Sequence, residues 1–83
     1  MSKQKLPEWF AGETYEEGDT VRNRFSGEEY ELNNIELSMY DFIVGAQLVL
    51  EMGMAQTEAV SDMKKGLEWF KENNNAAYLI LLE

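Results

Sequence analysis

Residues 32 to 52 read LNNIELSMYDFIVGAQLVLEM. The stretch opens like a helix and stays apolar for most of its length, but its apolar residues do not share one face. Wound at about 100° per residue, Ile35, Met39, Phe42, Ile43, Ala46, Val49 and Leu50 form one wide stripe. Leu37, Val44 and Leu48 form a second, narrower one. Asn34, Ser38, Asp41 and Gly45 lie between the stripes on one side. Glu36, Tyr40, Gln47 and Glu51 lie on the other, as the expected wet face. A helix apolar around most of its girth is surrounded by neighbours on several sides. The fold must therefore supply partners for two stripes, and this requirement constrains the chain more than any other feature.

The signals at the ends of this helix are clear. Asn33 suits an N-cap, and Glu36 follows three residues later as in a capping box. Leu32 and Leu37 are spaced for a hydrophobic staple. The helix is expected over about 34 to 52, ending at Gly53.

A second helix is expected over about 58 to 73, capped by Thr57. Its Ala59, Val60, Met63, Leu67 and Phe70 make an ordinary amphipathic stripe with Gly66 at the edge, and Trp69 falls on the polar side. After "NNN", the closing AAYLILLE reads as a short helix capped by Asn75, with a strand as the alternative because of its Leu and Ile run. Upstream, residues 20 to 32, TVRNRFSGEEYEL, alternate on either side of an SG break and read as a β-hairpin, whose Val21, Phe25 and Tyr30, or else the closing segment, are expected to cover part of the first helix. Residues 1 to 19 form a polar, acidic arm carrying Trp9, Phe10 and Tyr15. Its LPEWF reads either as one helical turn or as extended chain across the core. The expected whole is one small α+β domain, mainly α. It comprises the arm (1–19), the hairpin (20–32) and a helical part (33–83) with two principal helices and a short third.

A chain of 83 residues buries about 60–65% of the surface its unfolded form exposes, so stability is marginal and a staple is often added. Cys and His are both absent. That excludes disulfides, thiolate metal sites and cysteine nucleophiles, and removes the commonest metal ligand and general base. A partner chain is the staple this composition most readily permits. The net charge is −9, from 16 acidic and 7 basic residues. That balance opposes binding to nucleic acid phosphates and to anionic lipid. Residues 1 to 31 hold eight acids and four bases, and the remainder eight and three. So even a spread counts against a nucleic acid mimic, which concentrates acid on one face. The N-terminus shows no signal peptide, and the longest apolar run falls short of a membrane span of ~20 residues. The expectation is a soluble intracellular protein, or one carried in a particle made inside a cell.

NRFSGEEYELNNIELSMYDFIVGAQ together with LEWFKENNNAAYLILLE resembles small acidic proteins encoded by large tailed phages of marine cyanobacteria, over about residues 20 to 83. In that pattern a Pro often follows the Asn before Phe-Ser-Gly; this chain has Arg24 there, so the turn can differ. The resemblance implies a phage accessory protein made in the cytoplasm of an infected host, or carried in the virion. It carries over no activity and no functional residues.

Phosphate loops, dinucleotide glycine patterns and calcium loops are missing. No catalytic, cofactor-binding or metal-binding residues are assigned, and the chain reads as a non-enzyme with no cofactor. Asp41, in the thin strip between the stripes, reads as a structural acid accepting hydrogen bonds from Arg22, Arg24 or a Tyr hydroxyl and anchoring the hairpin. Gly45 beside it reads as a point of close approach, either of the hairpin backbone or of a second chain. The surplus of apolar surface points to a homodimer whose interface draws on Leu37, Val44, Leu48, Trp69, Leu81 and Leu82. The alternative is a monomer with the arm folded over the narrow stripe. Functionally the chain reads as an adaptor or inhibitor docking on a host or phage protein, or else as a structural part of a virion or assembly.

Overall fold

A computed structural model describes residues 4–10, 12–23, 25–53 and 57–82. The element order is β1 (Asp19–Arg22), β2 (Glu29–Leu32), α1 (Asn34–Glu51), α2 (Thr57–Asn73) and α3 (Asn75–Leu81), a small α+β domain. Residues 76 to 81 are therefore helix, not strand. The strands form one antiparallel pair in the register Asp19↔Leu32, Thr20↔Glu31, Val21↔Tyr30 and Arg22↔Glu29. That register puts Val21, Tyr30 and Leu32 on the face turned to the helices, while Glu29 and Glu31 alternate outward.

α1 starts where its capping box places it. The Asn33 side chain accepts from the Glu36 backbone N–H at 2.8 Å, and Glu36 Oε1 accepts from the Asn33 N–H at 3.0 Å. Its buried residues include Met39, Ile43 and Ala46, all from the wide stripe. α2 packs against that stripe through Ala59, Gly66 and Phe70. Gly66 is the point of closest approach: a Cβ built there lies 2.6 Å from Ile43 Cγ1 and 3.2 Å from its Cδ1. α3 closes the core with Ala77 and Leu81, beside Leu32 and Phe70.

Several expectations need correction. The cap of α3 is Asn74, whose Oδ1 accepts from the Ala77 N–H, so the helix begins one residue earlier than a cap at Asn75 allows. Thr57 is the first residue of α2; its side chain and residues 54–56 lie outside the described residues. Gly45 is open: among the described residues nothing lies within 4 Å of a Cβ placed there, so no described part of the hairpin approaches it. The close contact belongs to Gly66, on the other helix. Glu36, assigned to the wet face, is only 5% exposed.

Glu36 is held there by donors from three parts of the chain. Its Oε2 accepts from Gln4 Nε2 and from Asn74 Nδ2, each at 2.8 Å, while Oε1 serves the α1 cap. Gln4 returns a bond, its Oε1 accepting from Asn33 Nδ2 at 2.9 Å. The arm continues from this node along α1 and α2. Trp69 Nε1 donates to the Lys5 carbonyl at 3.1 Å. LPEWF makes a single turn closed by the Phe10 N–H on the Pro7 carbonyl at 3.0 Å. Trp9 and Phe10 then pack on Phe42, with ring centroids 6.0 and 5.1 Å away. The Tyr15 N–H finally donates to Ser38 Oγ at 2.9 Å, and that buried hydroxyl donates in turn to the Asn34 carbonyl.

Candidate functional site

The described residues of the arm cover Phe42 and Trp69 but not Val44 and Leu48 of the narrow stripe of α1. Val44 and Leu48 of that stripe face a groove completed by Leu81 and Leu82 of α3, with Tyr40 and the hairpin-tip residue Phe25 also in its walls. The groove encloses about 310 Å³, and no described residue of the arm lines it. Leu48 is 46% exposed in its wall, and Phe25 is 86% exposed at its edge.

The six residues expected at an interface thus divide. Val44, Leu48, Leu81 and Leu82 meet in the groove, with Leu81 nearly buried as its floor. Leu37 is drawn inward and packs on the core cluster. Trp69 stands on a different face, half-buried, its indole edge-on to Phe70 at 5.8 Å and its N–H satisfied by the arm. Its placement on the polar side of α2 is explained by the arm, which contributes a carbonyl and a second indole there.

Phe25 was expected to cover α1 alongside Val21 and Tyr30. The hairpin loop carries it outward instead. Asn23 organises that loop: its Oδ1 accepts from the Phe25 N–H at 2.8 Å and the Ser26 N–H at 3.2 Å. Its backbone N–H donates to the Glu28 carbonyl and its carbonyl accepts from the Gly27 N–H, both at 2.8 Å. Gly27 closes the turn at φ +79°, a value side-chain-bearing residues rarely adopt. Asn23 Nδ2 donates to the Ile80 carbonyl at 2.8 Å and so pins the loop to α3. The Asn before the FSG turn was the available signal that position 25 sits at the tip, because Asn side chains bond local backbone in this way. Tyr40 and Gln47, read as wet face, also border the groove.

Asp41 is exposed and shares a shallow lining with Glu58, Ala59 and Asp62 of α2. Arg22 is committed to Glu29, with Nη2 2.6 Å from its carboxylate, and Arg24 lies outside the described residues. Of the three groups expected near the acid, a tyrosine hydroxyl is the one on which it acts: the negative charge of Asp41 bears on Tyr15. The expected coupling of Asp41 to the hairpin through Arg22 is not formed, because Arg22 pairs with Glu29. The Tyr15 hydroxyl is held above its ordinary value of 10.0 by lost solvation, by the negative charge of Asp41 and its hydrogen bond, and by Glu13. A raised phenol value stabilises the fold below the ordinary tyrosine range. That contribution is lost as pH rises through the raised value. Replacing Asp41 by Asn is expected to move the Tyr15 titration down toward the ordinary range. An absorbance titration at alkaline pH, with Tyr15→Phe identifying the transition, checks this; an unmoved midpoint would show that the acid does not act on Tyr15.

Among the described residues no group of three or more Asp or Glu is placed to hold a metal ion, and no helix is long and apolar enough to cross a membrane. No family model matches the chain, and neither a curated protein nor a solved structure matches it.

Proposed function

We propose that this protein acts by protein–protein contact, without catalysis, and works as a two-fold homodimer docked through the α1–α3 groove. The observation that carries the reading is an apolar groove flanked by a solvent-facing Phe25 on a chain otherwise well supplied with charge. Burial of apolar surface contributes about 25 cal/mol per Å². A stable interface needs about 1,000 Å² in total, or roughly 500 Å² from each copy. That is under a tenth of the chain's 5767 Å². The resemblance to cyanophage proteins supports an adaptor or inhibitor acting in the cytoplasm of an infected host, with a host or phage protein as its further partner. Nucleic acid is disfavoured as that partner by the charge of −9.

Sedimentation in the micromolar range tests the reading. The expected species has twice the 9.6 kDa chain mass. Two chains of the same strong charge repel, so the dimer is expected to tighten as salt rises from about 0.05 to about 0.5 M and the repulsion is screened. A single monomer mass throughout would refute the homodimer. Open-ended large species would instead support a structural part of a virion or assembly.

A further inference from the structure

We infer that the trough between α1 and α2 receives a basic amphipathic helix from a partner protein. The inference specifies the further partner of the reading above and rests on that reading's protein–protein contact, not on its homodimer. The trough encloses about 350 Å³ and shares no lining residue with the α1–α3 groove. Phe42, Ala46 and Val49 of α1 and Ala59 of α2 give it an apolar floor. Acids stand on both walls, Asp41 on α1 and Glu58 and Asp62 on α2.

Gly45 belongs to the same lining. A glycine inside a helix weakens it relative to alanine. No packing among the described residues offsets that loss, since none of them lies within 4 Å of a Cβ built at this position. The missing side chain keeps the middle of the trough clear, as close approach of another chain requires.

Charge selects the occupant. The lining holds three acids and, among the described residues, no base. The undescribed residues that flank it in sequence, Ala11 and residues 54–56, are uncharged. Lys3 and Arg24, the undescribed bases, are chain neighbours of Gln4 and Asn23, which bond to Asn73 and Ile80 rather than to this trough. An arriving lysine or arginine therefore meets negative charge on both sides of an apolar strip. A second copy is a poor occupant, because it brings its own net charge of −9. Its Arg22 is engaged by Glu29, and its Lys65 and Lys71 lie over Trp9 and Tyr78. An extended peptide finds no strand edge here, because both walls are helices, so the fitting mode is a helix laid in a groove. From Asp41 to Val49 α1 rises about 12 Å, the length of about two turns of a docked helix.

The test uses the full chain and a labelled helical peptide of leucine and lysine whose leucines line one face. One control peptide carries glutamate in place of lysine, and another carries serine in place of leucine. Fluorescence anisotropy supplies the readout, and thermal melts verify that each protein variant folds. The leucine–lysine peptide is expected to bind, more weakly as salt rises from about 0.05 to about 0.5 M, and neither control to match it. Gly45→Leu fills the trough without crowding a described neighbour. It is expected to melt no lower than the parent and to weaken binding by at least about tenfold, as loss of an anchor pocket does. Asp62→Asn is expected to weaken binding about threefold, the scale of one exposed ion pair. Glu31→Gln, the same change of charge on the outward face of the hairpin, is expected to leave it unchanged. Equal losses from Asp62→Asn and Glu31→Gln, or undiminished binding by Gly45→Leu, would overturn the site. Sedimentation decides the homodimer separately. A monomeric parent that binds the peptide in this pattern would keep the trough and lose only the dimer, and a dimeric parent that does not bind it would lose the trough alone.

Discussion

Glu36→Gln is expected to lower the unfolding free energy by about 2–4 kcal/mol, although it conserves shape and the residue lies outside the α1–α3 groove. The reason is the number and kind of its partners. Glu36 Oε2 receives two side-chain N–H groups, from Gln4 and Asn74, in a site that is 5% exposed. A glutamine offers one carbonyl oxygen and one NH₂ group in place of two acceptors. If the oxygen serves the Asn33 N–H, the new NH₂ confronts both remaining donors. If it turns the other way, the α1 cap loses its acceptor. Nor can Asn74 turn its amide to compensate, because its Oδ1 already accepts from the Ala77 N–H to cap α3. A buried donor left unmatched costs about 1–3 kcal/mol, and more where a charged acceptor was lost. Urea unfolding at neutral pH measures the difference. A glutamine variant within about 0.5 kcal/mol of the parent would mean that the node does not hold these three segments together.

Phe70→Ala carries the largest effect expected of any single truncation here, about 3–5 kcal/mol. Phe70 is 0% exposed and belongs to the central cluster with Met39, Ile43 and Leu81. The site has little means of collapsing into the cavity. Gly66, one turn away on α2, already lies against Ile43 at the limit of contact, so α2 cannot move inward there. A small domain has only a few kcal/mol in hand. The alanine variant is therefore expected to melt at or near room temperature, while Phe70→Leu stays folded. Circular dichroism melts separate the two. A loss below about 1.5 kcal/mol for the alanine would place Phe70 outside the true core.

The chain announces some of this plainly and hides the rest for identifiable reasons. The start of α1 is legible because Asn33 and Glu36 act within four residues of each other. The burial of Glu36 is not, because it depends on Asn74 and Gln4, which no local pattern links to it. The two apolar stripes are legible from winding alone, and the wide one does pack on α2. Winding does not say which of two glycines lets the helices meet. Gly45 sits in a strip of small residues and meets none of the described residues, while Gly66 lies on the edge of an ordinary stripe and meets Ile43. The groove was half legible. Val44, Leu48, Leu81 and Leu82 were grouped by their surplus hydrophobicity, and four of the six named residues do meet. Leu37 and Trp69 carried the same surplus but were claimed by the core and by the arm. Alternation in the hairpin placed Val21 and Tyr30 correctly, and it placed Phe25 wrongly because the strand ends at Arg22. Past that point the turn sets the direction of the side chain.

The path of the arm has a consequence for how the molecule comes apart. Residues 4 to 15 hydrogen-bond to distant parts of the chain through Asn33, Glu36, Ser38, Trp69 and Asn73. The tie from Gln4 to the Asn73 carbonyl spans 69 positions. Closing a loop of that length costs about 4 kcal/mol of chain entropy by the logarithmic rule. The arm can meet that cost only when α1 and the α2–α3 junction already stand in place, since its acceptors and donors are divided between them. The helices cannot part without releasing the arm. The arm thus welds the two ends of the helical layer into one cooperative unit, in which a disturbance at either end is felt at the other.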